Sequence, residues 1–182
     1  GMERDGSVQE IRVVVACNEQ SLFLRFIGLR LKGFAQRRYR TSGAFLQELD
    51  KHLREETELV IFGKSAIVLG FPTAPGSYGG TMDVDGIIPM GMLESLSNNE
   101  SFWEALEKTN EVLKPTGLYI THLFQEDQII LTPDWLEKTV PLDLGLSHLK
   151  IHRPSTLDLI LTKMMRGDDA DLQEIEFLIK AD

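Results

Sequence analysis

An acidic pair at residues 83 and 85 is the feature that most constrains how this chain can fold. The pair lies within residues 81–85, TMDVD, and the run continues into Gly-Ile-Ile at 86–88. Side chains alternate between the two faces of a β-strand, so Asp83 and Asp85 share one face. Two carboxylates this close repel each other unless they are solvated or hold a cation. The pair therefore predicts either a solvent-facing strand edge or a site for a hard cation such as Mg²⁺.

A strand-to-helix turn precedes the acidic pair. The compact apolar run ELVIF at 58–62 predicts a buried strand, and residues 65–69 predict the start of a helix. Gly63, Lys64 and Ser65 then lie where free backbone N–H groups and the helix dipole favour a phosphate. The turn is not a P-loop, because that motif needs a glycine five residues before the Gly-Lys pair, and Glu58 stands there.

The rest of the chain predicts one domain of about 140 residues, 43–182, behind an N-terminal extension, 1–42, that reads as a strand and a basic helix. Helical spacing runs from a cap at Ser42, and again over 92–113, where residues 97–99 are either an interruption or a cap before Phe102. Two β-rich runs, 118–124 and 128–131, predict a hairpin around a polar turn, and 149–152 predicts a last strand.

The C-terminus predicts a helical hairpin, with one helix from a cap at Ser155 and another from Asp168, separated by Gly167. Each helix carries apolar residues at helical spacing, which we expect to face inward. They are Leu157, Ile160, Leu161 and Met164 on the first helix and Leu172, Ile175, Leu178 and Ile179 on the second.

Charge and cysteine content restrict the class of protein. The net charge of -9 argues against broad nucleic-acid binding, although six basic residues and no acid fall between 20 and 47. That basic arm is suited to RNA, DNA or an acidic face of its own protein. The single cysteine, Cys17, and the lack of a recognisable export signal predict a cytoplasmic protein, and no apolar run is long enough to span a membrane.

A strand, a Gly-x-Ser turn into a helix, and an acidic pair on the next strand resemble the nucleotidyltransferase superfamily, whose core is that of DNA polymerase beta. The segment 161–175 strengthens this, because it is similar to a Lys-to-Asp-Leu-x-Asp-Ile stretch of bacterial nucleotidyltransferase-like proteins, which include abortive-infection toxins. Lys163 and Asp171 match that stretch, and Glu174 stands where aspartate is common. The resemblance covers about residues 43–180 and implies an α/β (α+β) fold with a mixed β-sheet flanked by helices.

The resemblance also implies roles for residues. Asp83 and Asp85 would hold Mg²⁺ or Mn²⁺ as catalytic metal ligands, and Lys163 would neutralise charge or, alternatively, be only a surface lysine beside Asp168 or Asp169. The nucleotide would be held by Gly63, Lys64, Ser65 and Thr81. The implied function is transfer of a nucleoside monophosphate from an NTP to an unknown acceptor, which is RNA, a protein or a small molecule.

The resemblance lacks one group that matters for catalysis, and Lys64 replaces the more usual second glycine of the turn. Active members of the superfamily usually carry a third carboxylate on an adjacent strand, and this chain has Thr121 and His122 there instead. His122 is either a general base, since histidine exchanges protons near neutral pH, or a hydrogen-bonded strand residue. A degenerate fold that binds a nucleotide without transfer, or a toxin–antitoxin interaction protein, is therefore the alternative. Association into a homo-oligomer and RNA binding by the arm between Arg25 and Arg40 are also left open.

Overall fold

The computed structural model describes residues 41–80, 83–165 and 167–181. The predicted N-terminal strand and basic arm, together with Thr81, lie outside these ranges, and the domain boundary near residue 42 stays a prediction. The described α-helices are α1 (Ser42–His52), α2 (Gly63–Gly70), α3 (Leu93–Ser97), α4 (Glu100–Leu113), α5 (Thr156–Met164) and α6 (Asp169–Ala181). The described strands are β1 (Thr57–Phe62), β2 (Asp83–Ile88), β3 (Tyr119–Gln125), β4 (Val140–Leu142) and β5 (Leu149–Arg153).

The five described strands form one mixed sheet in the order β3-β2-β1-β5-β4. β1 runs antiparallel to β2 and parallel to β5, while β2 runs parallel to β3 and β4 runs antiparallel to β5. This sheet and the six helices of the described ranges that flank it confirm the predicted α+β architecture. The predicted strands at 58–62, at the acidic pair and at 149–152 are confirmed within a residue or two, whereas β4 was not predicted.

The two faces of the sheet carry different cores, as the alternation of side chains requires. Leu59, Ile61 and Val84 belong to the large buried cluster that also takes in residues from α1, α2, α4, α5 and α6. Val60 and Ile87 point the other way and form a small cluster with Trp135. The second face therefore has a thinner cover, and it is the face that leads to the acidic pair.

Two predicted helix starts are confirmed by their caps, and a third is corrected. The Asn99 side chain accepts a hydrogen bond from the Phe102 N–H at the start of α4, and the Ser155 side chain accepts one from the Asp158 N–H at the start of α5. Ser42 is not the cap of α1. It is the first residue of the helix, and its hydroxyl is hydrogen-bonded to a residue of α2 instead.

The predicted hairpin between 118–124 and 128–131 is wrong. β3 pairs with β2, and a 3₁₀ turn, Glu126–Gln128, follows it in place of a second strand. Two backbone N–H groups of the next segment are bonded to α5 and to the residue that follows it: the Ile130 N–H donates to Met165 Sδ at 3.2 Å, and the Thr132 N–H donates to Asp158 Oδ1 at 2.7 Å. These acceptors take the place of a strand partner for both groups.

The helical hairpin of α5 and α6 is present, but its apolar residues do not all face inward. Leu157, Met164, Leu172 and Ile179 are each more than half exposed. The buried side of the hairpin is partly polar instead and includes Asp158, Lys163, Asp171 and Glu174. These groups pair with one another or with the backbone, which allows them to be buried and turns part of each apolar stripe outward.

No helix in the described ranges is long and apolar enough to cross a membrane.

Candidate functional site

The register of β1 and β2 brings the turn and the acidic pair together. Because the two strands are antiparallel, the end of β1 lies beside the start of β2, and Phe62 is opposite Asp85. Gly63 follows Phe62 directly and begins α2. The first turn of α2 is thus placed next to both aspartates, as the sequence predicts.

Gly63 makes the sharp change of direction between β1 and α2. Its φ of +65° lies in the left-handed region, which glycine adopts without the steric cost that a β-carbon brings. A β-carbon built on Gly63 would lie 3.6 Å from Asp85 Oδ2, which is ordinary contact distance. The turn therefore lies beside one carboxylate of the pair, with about the space of one methyl group between them.

Ser65 holds the strand that carries the acidic pair. Its hydroxyl donates to the Asp83 carbonyl oxygen at 2.9 Å and is 3.3 Å from the Ser42 hydroxyl. The residue is buried, so this hydroxyl is committed to the protein backbone. The predicted contact with a phosphate is left to the backbone N–H groups at the start of α2, which face an anion favourably.

His122 lies beside Asp85 on the neighbouring strand. The two residues are opposite each other in the β2–β3 register, which is irregular between positions 84 and 85 of β2. His122 Nδ1 is 3.8 Å from Asp85 Oδ1. An imidazole on the neighbouring strand is therefore within ion-pair distance of the acidic pair.

These groups open into one cleft of about 360 Å³. Both aspartates of the pair and all three residues of the Gly-Lys-Ser turn line it. The complete lining is Phe62, Gly63, Lys64, Ser65, Asp83, Asp85, Phe124, Gln128, Ile129, Thr162, Lys163, Met165 and Asp171.

Lys163 enters this cleft from a buried ionic cluster. Its ammonium is 3.1 Å from Asp171 Oδ1 and 2.5 Å from Glu174 Oε2, and its side chain is 8% exposed. Glu174 Oε1 is in turn 3.1 Å from the ammonium of Lys64. The reading of Lys163 as a surface lysine beside Asp168 or Asp169 is wrong, because its described partners are the buried carboxylates of α6.

Lys64 links the ionic cluster to the turn. Its ammonium pairs with Glu174 and lies 5.9 Å from the centre of the Tyr78 ring. Burial and the charge of Glu174 raise the pKa of the Tyr78 phenol, although Lys163 acts in the opposite direction. Two lysines and two carboxylates therefore balance one another at the edge of the cleft, and Lys64 is the more exposed of the two lysines.

The acidic pair is suited to a cation that a substrate helps to coordinate. No three metal-ligating side chains converge anywhere in the described ranges, so a closed protein-only metal site is absent from them. Mg²⁺ in phosphate-transfer sites is held by one or two carboxylates together with substrate phosphates and water. Asp83 and Asp85, on one strand face beside a helix start, fit that kind of ligand set.

The comparison with family models gives one match. Residues 41–179 match a family described as "Nucleotidyltransferase of unknown function (DUF6036)". The chain belongs to this nucleotidyltransferase family. Searches of curated proteins and of solved structures gave no significant match.

The family assignment confirms the resemblance stated for residues 43–180 and leaves the individual site residues as predictions. Sequence reasoning missed the apolar lining of the cleft, namely Phe62, Phe124, Ile129 and Met165. Phe124 was within reach of a sequence argument, because it lies two positions after His122 and so on the same strand face. Met165 was not, since its place depends on how α5 packs.

Proposed function

We propose that this protein transfers a nucleoside monophosphate from a Mg²⁺-bound NTP to an acceptor hydroxyl on RNA, a protein or a small molecule. The observation that carries the proposal is the convergence of Asp83, Asp85 and the start of α2 on one cleft. In a chain of the nucleotidyltransferase family, that cleft is the place where a metal and a triphosphate would meet.

The reaction asks the protein mainly for positioning and charge stabilisation. The acceptor oxygen attacks the α-phosphorus, the bond from that phosphorus to the oxygen bridging to the β-phosphate breaks, and pyrophosphate leaves with the bonding electrons. The acceptor proton goes to solvent. When bound, Mg²⁺ supplies Lewis-acid stabilisation of the phosphate oxygens.

The described residues divide this task. Asp83 and Asp85 hold the cation, and the N–H groups that follow Gly63 bind the β- and γ-phosphates. A lysine ammonium has three donors; on Lys163 one is hydrogen-bonded to Asp171 Oδ1, and the ammonium also forms an ion pair with Glu174 Oε2. These two contacts hold Lys163 in orientation, and a further donor can be directed at a phosphate oxygen in the cleft.

Calorimetry with each NTP and Mg²⁺ tests the binding step. The double variant Asp83→Asn with Asp85→Asn should weaken Mg²⁺-dependent NTP binding at least about tenfold, roughly 1.4 kcal/mol. Asp134→Asn is the matched control, because Asp134 forms a surface pair with Lys138 and does not line the cleft. Equal affinity in the double variant and the control would refute the proposed metal ligands.

Label transfer tests the chemistry. Incubation with α-labelled NTP and cell extract should label RNA, protein or a small molecule, whereas γ-labelled NTP should release labelled pyrophosphate.

The alternative, a fold that binds nucleotide without transfer and acts through an interaction such as toxin–antitoxin pairing, is favoured by one observation. His122, not a carboxylate, is opposite Asp85. Tight NTP binding with no label transferred to any acceptor would support that alternative.

A further inference from the structure

The cleft contains two chemically different parts. One part is the charged region around the acidic pair. The other is built from Phe62, Phe124, Ile129 and Met165, which offer aromatic, aliphatic and thioether surface. A cation and a phosphate chain are bound by oxygen ligands and N–H donors and make no use of such surface. Sites for organic ligands, in contrast, combine apolar walls with a few polar groups.

The apolar part is held in place by the fold. The rings of Phe62 and Phe124 meet edge to face, with centroids 5.5 Å apart and planes at 81°. Phe62 and Ile129 also pack against the small cluster around Trp135. Met165 is joined to the same segment, because its Sδ accepts the hydrogen bond from the Ile130 N–H. A wall formed in advance costs little to order when a ligand binds.

The distance between the acidic pair and the Phe124 ring suits a nucleotide. His122 is opposite Asp85 in the register, and Phe124 follows two positions later on the same face of β3. The rings of His122 and Phe124 lie on the same side of the strand, with centroids 5.3 Å apart. Two positions along a strand correspond to roughly 7 Å, about the width of a sugar that separates a base from its phosphate.

We infer that Phe124, Ile129 and Met165 form a nucleobase subsite, in which the base of the NTP lies against the Phe124 ring. This inference rests on the proposed function, because it assigns a binding site to the base of the same NTP. Gln128 lies beside the apolar wall, and its side-chain oxygen accepts a hydrogen bond from the Gln125 N–H at 2.9 Å. The amide nitrogen of Gln128 is then the group that contacts an acceptor on the edge of the base.

The test compares Mg²⁺-dependent binding of the four NTPs with that of inorganic tripolyphosphate, which lacks sugar and base. The full chain and four variants are used: Phe124→Leu, Met165→Ala, Gln128→Leu and, as control, Met164→Ala. Met164 is the neighbour of Met165, is 63% exposed and does not line the cleft. Circular dichroism and thermal unfolding show whether each variant is folded.

The subsite predicts that an NTP binds more tightly than tripolyphosphate. Phe124→Leu should weaken NTP binding about tenfold or more, as loss of base stacking does, and leave tripolyphosphate binding unchanged. Met165→Ala should act in the same direction, Met164→Ala should have no effect, and Gln128→Leu should change the order of preference among the four NTPs.

Two negative outcomes are distinguishable. Equal binding of NTPs and tripolyphosphate, with no effect of Phe124→Leu or Met165→Ala, overturns the nucleobase subsite and leaves the proposed metal and phosphate site standing. Absence of Mg²⁺-dependent binding for NTPs and tripolyphosphate alike overturns the proposed function, and the subsite with it.

Discussion

Replacement of Lys163 by methionine should destabilise the protein strongly. The side chain is 8% exposed, and its ammonium lies between two carboxylates that are 1% and 2% exposed, those of Asp171 and Glu174. Methionine keeps most of the apolar stem and removes the charge. The variant therefore takes from both buried carboxylates a cation that offsets the cost of their desolvation.

The expected magnitude follows from what each carboxylate retains. Loss of one partner of a buried ion pair costs about 3–5 kcal/mol. Glu174 keeps its contact with Lys64, so the lower end, about 3 kcal/mol, is expected for Lys163→Met. At roughly 2–4 °C per kcal/mol for a chain of this size, the melting temperature should fall by about 6–12 °C.

Urea unfolding followed by circular dichroism measures this cost. Lys180→Met is the matched control, because Lys180 pairs with Glu176 on the exposed side of α6 and should leave the midpoint unchanged. Adding Asp171→Asn to Lys163→Met should recover part of the loss, since it removes one of the two buried negative charges that face the Lys163 ammonium. If Lys163→Met unfolds at the same urea concentration as Lys180→Met, or if Asp171→Asn deepens the loss, the view of a mutually compensating cluster is wrong.

Three further changes test other parts of the fold. Burial raises the pKa of Asp50, but hydrogen bonds from the N–H groups of residues 147–149 together lower it below its usual value. A carboxylate whose pKa is lower in the folded than in the unfolded protein stabilises the fold at any pH above its unfolded pKa. Asp50→Asn should therefore lower the free energy of unfolding by about 1 kcal/mol at pH 7, as measured by urea unfolding. That difference should begin to shrink as the pH falls below about 4 and should disappear below the lowered pKa of the folded protein; a cost that stays constant with pH would contradict it. Gly86→Ala should destabilise the protein by about 1–3 kcal/mol, because the new β-carbon would lie 2.7 Å from a methyl carbon of Leu123. An unchanged urea midpoint would mean that the leucine side chain moves aside at no cost. Gly63→Ala should lower the free energy of unfolding by about 1–2 kcal/mol, because alanine is strained at this positive φ. The same variant should bind Mg²⁺-NTP more weakly. A loss of stability with unchanged binding would show that the turn does not contribute to the site.

Local sequence patterns were sufficient for the elements that frame the site. The apolar run before Gly63 and the alternation through Asp83 and Asp85 predict β1, the start of α2 and β2, because strand alternation and helix starts depend on neighbouring residues. The caps at Asn99 and Ser155 were predictable for the same reason.

The errors arose where a segment depends on distant partners. The β-rich residues 128–131 form no strand, because Asp158 of α5 and Met165 directly after that helix accept hydrogen bonds from this part of the chain. Similarly, helical spacing predicts an inward stripe through Leu157 and Leu172, yet both are more than half exposed. A periodic pattern gives the existence of an apolar face but not which side of the helix the rest of the protein covers.

The sequence by itself determined that Asp83 and Asp85 share a strand face and that a helix starts within a few residues of Gly63, since both follow from backbone geometry over a few residues. Only the tertiary structure decided what meets them. The strand order β3-β2-β1 places His122 beside Asp85, and the packing of α5 and α6 brings Lys163 into the same cleft. The physical reason is that strand pairing and helix packing are set by burial and hydrogen bonding between segments far apart in the chain, which no local period encodes.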